Sequence, residues 1–132
     1  MINTLQRYFH EMDINIEWYQ KSPVPSISSY DSTLDDIKNS VENCTQCNLH
    51  LTRKHTVFGD GSFDTDIMII GEAPGKDEDE YGKPFIGRAG KLLDLFLKSI
   101  KLNRESVFIT NTIKCRPPKN RKPKNNEVEN CI

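Results

Sequence analysis

The stretch Asp66–Lys91, DIMIIGEAPGKDEDEYGKPFIGRAGK, limits the possible fold of this chain more than any other. Ile67, Met68, Ile69 and Ile70 form a short continuous apolar run bounded by turn residues. Such a run suits an interior strand covered on both faces, the usual state of a strand in a parallel sheet. Gly71, Pro74 and Gly75 then stop it. Glu72 therefore stands at the carboxyl end of a parallel strand, where open α/β sheets place their ligands. The ordinary alternative is a strand-loop-helix connection with solvated charges.

The chain has 132 residues, enough for one modest domain. Its net charge of −1 gives no global basic field of the kind that marks nucleic-acid binding. The charge is nevertheless segregated. Every residue from Asp77 to Glu80 is acidic, whereas Lys114, Arg116, Lys119, Arg121, Lys122 and Lys124 follow one another with no acid between them. No apolar run is long enough to span a membrane. The opening MINTLQRYFHEMD lacks the basic region and apolar core of a signal peptide. These features predict a cytoplasmic monomer without a membrane partner. In that compartment four cysteines are thiols or metal ligands rather than disulfides.

Leu5, Tyr8, Phe9 and Met12 fall at helical spacing near the N-terminus, and residues 21–33 are rich in Ser and Pro. Residues 1–33 thus read as a helix and linker, and 34–132 as the body. Ser32 or Thr33 caps a helix running to about Val41, with Leu34, Ile37 and Val41 as its buried face. A strand at Thr56–Phe58, a turn at Gly59-Asp60-Gly61 and the central strand follow. From Gly90 to about Ile100 the chain is apolar around much of a helical circumference and should be well buried. Ser106–Thr110 is a second short strand, ending in Asn111. Two strands joined through a helix imply a right-handed parallel βαβ unit. A further helix starts near Asn125–Glu127.

Cys44 and Cys47 are separated by two residues, and Cys115 and Cys131 stand far downstream. The close pair is a usual bite for one metal or one cluster edge, and two distant thiolates could complete a four-thiolate site. Zinc, an iron-sulfur cluster and unrelated thiols all remain open on spacing.

Several motifs together resemble one family. They are CTQCNL, HTVFGDGSFDTDIMIIGEAPG, GEAPGKDEDEYGKPFIGRAG and TNTIKCRPPKNRKP, followed by a cysteine a short helix later. From about Glu42 onward the chain resembles the family 4 uracil-DNA glycosylases, the iron-sulfur members of their superfamily. The resemblance implies a three-layer α/β/α sandwich around a short parallel sheet. It implies hydrolysis of the N-glycosidic bond of uracil in DNA, as in base excision repair. It implies a [4Fe-4S] cluster on Cys44, Cys47, Cys115 and Cys131, tying both ends of the basic loop. Glu72 matches the acid that positions the attacking water, and a carboxylate suits a developing oxocarbenium charge. Gly71, Ala73 and Gly75 match small residues that let the backbone approach the flipped nucleotide. Phe85 matches the aromatic that stacks on uracil, and Asn111 the amide that reads it. Glu78 falls where the family keeps a bulky residue against C5 of the base. Arg88, in Gly87-Arg88-Ala89-Gly90, opens a helix that could hold a phosphate on its N–H groups. Lys114, Arg116, Lys119 and Arg121, with Lys122 and Lys124, would contact phosphates and help offset the cost of base flipping. Read without the resemblance, Phe85 is a core residue, Asn111 a turn residue and the basic run a solvated loop.

The family's second motif, His-Pro-Ser or His-Pro-Ala, does not occur among these residues. His10, His50 and His55 all precede Glu72. The expectation is the N-terminal part of a glycosylase, cut short of the segment that stabilises the departing base. Two other readings compete. One is a non-catalytic iron-sulfur module that binds nucleic acid, like the glycosylase-like domain fused to some phage DNA polymerases. The other is a zinc-stabilised remnant.

Overall fold

The computed structural model describes residues 33–131. The helix expected near the N-terminus and the linker up to residue 32 lie outside the described residues. Helix α1 spans Leu34–Glu42. Thr33 caps it: the Thr33 hydroxyl accepts from the Asp36 amide at 3.3 Å, and the Asp36 carboxylate accepts from the Thr33 amide at 2.8 Å. This reciprocal pair satisfies two donors that a helix start would otherwise leave open. The expected buried face is not covered. Leu34 and Ile37 are exposed, and Ile37 and Val41 border a cavity lined by the cysteines instead.

Three short strands form one sheet: β1 at Asp60–Gly61, β2 at Met68–Gly71 and β3 at Phe108–Asn111, in the order β1-β3-β2. β2 and β3 are parallel, with Ile69 opposite Ile109 and Gly71 opposite Asn111. Helix α3, Arg88–Ser99, lies between them in sequence, so the expected parallel βαβ order is present. The sheet is mixed rather than wholly parallel, because β1 runs antiparallel to β3. β1 also occupies the Gly59-Asp60-Gly61 stretch expected to be a turn. Glycine makes this possible. Gly61 has φ of +107°, and a Cβ there would lie 2.7 Å from the Arg104 carbonyl oxygen and overlap that of Val107. Thr56–Phe58, expected as a strand, is an irregular segment held to the sheet. The Val57 amide donates to the Lys114 carbonyl at 2.8 Å, and the Thr110 hydroxyl donates to the Phe58 carbonyl at 2.6 Å.

The apolar residues divide into two groups. Leu97, Val107 and Ile109 pack with Ile69, Leu93, Leu102 and Phe85 beneath α3. Leu49, Ile113 and Cys115 pack with Cys47, Ala73, Val128 and Cys131 at the other end of β3. Helix α4, Asn125–Glu129, supplies Val128 to this second group. The opposite face of β3 is covered by Phe58 and Phe63, the latter ring 4.8 Å from that of Phe108. An α/β architecture is therefore present.

Two burial expectations need correction. β2 is half covered, not fully: Met68 and Ile70 are 59% and 61% exposed. It is an edge strand, and α3 covers only its Ile69 face. Likewise α3 turns Leu93 and Leu97 inward but leaves Leu92, Leu95 and Phe96 exposed. No helix among the described residues is long and apolar enough to cross a membrane.

Replacing Gly61 with Ala should destabilise the protein by about 2 kcal/mol or more, because the new Cβ meets backbone rather than a yielding side chain. Urea unfolding measures this, and an unchanged midpoint would contradict the packing described.

Candidate functional site

The parallel pairing of β2 with β3 brings Gly71 beside Asn111, so the two strand ends open into one pocket. Its volume is about 280 Å³. Glu72, Ala73, Pro74, Gly75, Phe85, Asn111, Pro117, Asn120 and Arg121 line it. The pairing continues past the strands: the Thr112 amide donates to the Gly71 carbonyl at 2.8 Å and that of Ile113 to Glu72 at 3.2 Å.

Gly71 is needed here for space. A Cβ on it would overlap the Asn111 side-chain oxygen and come within 2.6 Å of the Phe85 ring. Asn111 is only 3% exposed. No hydrogen bond joins its side-chain amide to another described residue, and no enclosed side-chain polar atom among those residues is left without a partner, so the amide opens onto the pocket. Glu72 is exposed, and its carboxylate is also unpaired among the described residues. The site thus offers a carboxylate, a free amide and an aromatic edge around one small volume.

Phe85 is held under strain. Its φ is +53°, a conformation that costs a non-glycine residue about 1–3 kcal/mol. Arg104 holds it there, donating to the carbonyls of Pro84 at 3.2 Å and of Phe85. Gly90 is the other condition, because a Cβ at that position would overlap the Phe85 carbonyl. Across the pocket, Lys119 and Asn120 are consecutive left-handed residues, and the Arg116 Nε donates to the Asn120 side-chain oxygen at 2.7 Å.

Glu78 is not among the pocket residues. Short helix α2, Lys76–Tyr81, turns its carboxylate back on the chain. There it accepts from the amides of Gly75 at 3.1 Å, Ile86 at 3.0 Å and Gly87 at 2.9 Å. One acid therefore pins both ends of the loop that carries Phe85. The same bonds engage the Gly87 amide, one N–H of the expected phosphate site, with the protein's own carboxylate. Arg88 stands exposed beside it. Gly75 leaves room for Glu78, whose oxygen would lie 2.6 Å from a Cβ.

The basic run also divides. Lys114 turns inward, its ammonium donating to the Thr110 hydroxyl at 2.6 Å and the Asn111 carbonyl at 2.7 Å. Burial pushes its pKa down. Arg121 forms a two-pronged pair with Glu127, at 2.8 and 2.5 Å. Arg116 stands 3.9 Å from the buried Asp79 carboxylate. Lys119, Lys122 and Lys124 remain exposed. Asp79 escaped the sequence reading. It sits within an acidic run like its solvated neighbours, yet it accepts from the Lys54 amide at 2.9 Å.

Cys44, Cys47, Cys115 and Cys131 line a second cavity, of about 290 Å³. Burial raises the pKa of Cys115 and Cys131, and the neighbouring cysteines add to the effect. No group of three or more His, Cys, Asp or Glu among the described residues is placed to hold a single metal ion. The four thiols line one cavity, and four cysteine thiolates are the donor set an iron-sulfur cluster uses. Arg53, which the sequence reading passed over, reaches Cys115 Sγ at 3.1 Å.

Residues 58–132 match the family model of the uracil-DNA glycosylase superfamily. The chain belongs to that superfamily. The match contains the whole pocket, Cys115 and Cys131. Among curated proteins the chain is similar to type-4 uracil-DNA glycosylases. It is 52% identical to that of Archaeoglobus fulgidus over 99 residues, covering 75% of this chain and 50% of the relative. Identity is 48% over 99 residues with that of Pyrobaculum aerophilum, and 46% over 98 with that of Thermotoga maritima. The chain spans about half the length of these relatives.

The Arg121–Glu127 pair makes the loop between pocket and cysteines acid-sensitive. Its Arg121 partner holds the Glu127 carboxyl at about 2, below its ordinary 4.5. The unfolded chain takes up this proton more readily, so the pair's contribution is complete above about 4.5 and is lost as pH falls toward 2. Replacing Glu127 with Gln should lower stability at pH 7 and flatten the acid limb of a melting-temperature profile. A parallel limb would contradict it.

Proposed function

We propose that this chain supplies the base-reading half of a uracil-DNA glycosylase. The observation that carries this is the Asn111 amide, which bonds to no other described side chain or backbone group and opens into one pocket with Phe85 and Glu72. An amide of this kind donates to uracil O4 and accepts from N3–H. Cytosine reverses both polarities and would leave the amide opposed, a discrimination of roughly 1–3 kcal/mol. Phe85 offers its ring to the base, and Gly71 lets the base come close. Glu72, at the open side, orients the attacking water and stabilises positive charge developing on the sugar. The target nucleotide must leave the duplex, and contacts from Lys119, Lys122 and Lys124 to phosphates would offset part of that cost.

Cys44, Cys47, Cys115 and Cys131 would hold a [4Fe-4S] cluster. The four-thiol cavity and the similarity to type-4 enzymes support this reading. Such a cluster would supply structural cross-linking: it ties Cys115, four residues beyond Asn111, to the loop that returns through Pro117 and Arg121 to the pocket wall. Its own place in the chemistry is support of that wall.

The test is a chimera in which residues 1–132 are joined to the remaining half of the Archaeoglobus fulgidus relative. It should release uracil from an oligonucleotide. Replacing Glu72 with Ala should lower the single-turnover rate by about 100-fold or more, the usual worth of a positioned acid or base. Replacing Asn111 with Ala should erode the preference for uracil over cytosine. An active chimera unaffected by both changes would overturn the assignment.

A further inference from the structure

Arg53 lies outside every motif discussed above, yet it touches the cysteine cavity more directly than any other cation. Its Nη1 donates to Cys115 Sγ at 3.1 Å, while Nη2 donates to the Glu42 carbonyl at 3.4 Å. Glu42 is the last residue of α1, the helix that precedes Cys44. A cation at that position also complements the negative end of the helix. One planar guanidinium thus spans two of the segments that deliver cysteines. Among the described residues the other hydrogen bond to a cysteine sulfur comes from a neutral donor, the Lys114 amide to Cys131 Sγ at 3.4 Å. The remaining charged groups on the cavity wall are placed differently. The Lys114 ammonium is turned to Thr110 and Asn111, Glu127 is paired with Arg121, and the Asp36 carboxylate is bound in the α1 cap. His50 directs its Nδ1 to the Cys47 carbonyl at 2.7 Å.

The geometry points to Arg53 as the cluster's charge-compensating residue, which hydrogen-bonds the Cys115 thiolate and ties it to the end of α1. This rests on the reading of the four cysteines as cluster ligands. Four thiolates outweigh the positive charge of an iron-sulfur core, so the loaded site is net negative. A half-buried cation bonded to one sulfur stabilises that charge, and it stabilises the more reduced, more negative state further. Arginine suits the position better than lysine, because its fork can reach two acceptors in fixed geometry and it stays charged when partly buried.

The experiment uses the chain purified anaerobically, with iron and sulfide measured first. R53Q should retain iron on isolation. It should lose its visible absorbance to a chelator about 10- to 100-fold faster than the unaltered chain, the usual effect of removing an outer partner of a ligand. Its reduction potential, measured by protein-film electrochemistry, should shift to a more negative value. R53K keeps the charge but not the fork, so its potential should lie between the two. If R53Q lowers only the melting temperature, with potential and chelator kinetics unchanged, Arg53 is a structural bridge and the proposal is overturned. Should R53Q not fold, an R53K potential equal to that of the unaltered chain overturns it, and a negative shift supports it. An unaltered chain without iron would instead refute the cluster reading itself, an outcome distinct from an iron-loaded chain indifferent to Arg53.

Discussion

The site depends first on the register between β2 and β3. Gly71 lies opposite Asn111, and only a residue without a side chain lets the amide and the Phe85 ring close to their observed positions. A slip of one residue would send Asn111 to the other face of the sheet. The same register orders what comes after. Thr112 and Ile113 continue the pairing onto Gly71 and Glu72, Ile113 is buried under the second apolar group, and Cys115 follows at the cavity edge. The Asn111 pocket and the cysteine cavity are thus consecutive stations along one strand exit.

A second constraint comes from ionic groups that the loops spend on themselves. Glu78 uses its carboxylate on three backbone amides, and so fixes where Phe85 begins its strained turn. Glu127 fixes Arg121 at the pocket wall, and its neighbour Lys124 contributes an amide to the same carboxylate at 2.8 Å. Glu127 is buried and Glu78 half-buried, and the donors they accept from offset the cost of desolvation. They position the pocket without touching what would enter it.

Much of this arrangement was legible in the chain. The apolar run before Gly71 and the SVFIT segment carry a strand signal strong enough to place β2 and β3 and the helix between them. The cysteine spacing allowed a common site, and all four thiols line one cavity. Other features were not legible, for physical reasons. Lys114 and Lys119 look alike in a basic run, but only tertiary packing puts the Thr110 hydroxyl and Asn111 carbonyl within reach of one of them. Glu78 and Asp79 sit in a run that resembles a solvated face; the Glu78 donors come from the turns on either side of its helix, and those of Asp79 from Lys54 and Arg116, distant in sequence. Gly59 to Gly61 carries a turn composition, yet the glycines serve close backbone approach. Apolar content predicted coverage of both faces of β2 and a well-buried α3, but burial depends on neighbours, and Met68, Ile70, Leu92 and Phe96 have none over much of their surface among the described residues.

The central claim is that Asn111 is held free to read a base. Its side-chain amide resonances test this most directly, followed by nuclear magnetic resonance while a short single-stranded oligonucleotide containing one uracil is added. The account predicts that both amide protons shift with uracil and stay in place when cytosine replaces it in the same oligonucleotide. Equal shifts with the two bases, or shifts confined to the exposed lysines while Asn111 does not move, would contradict it.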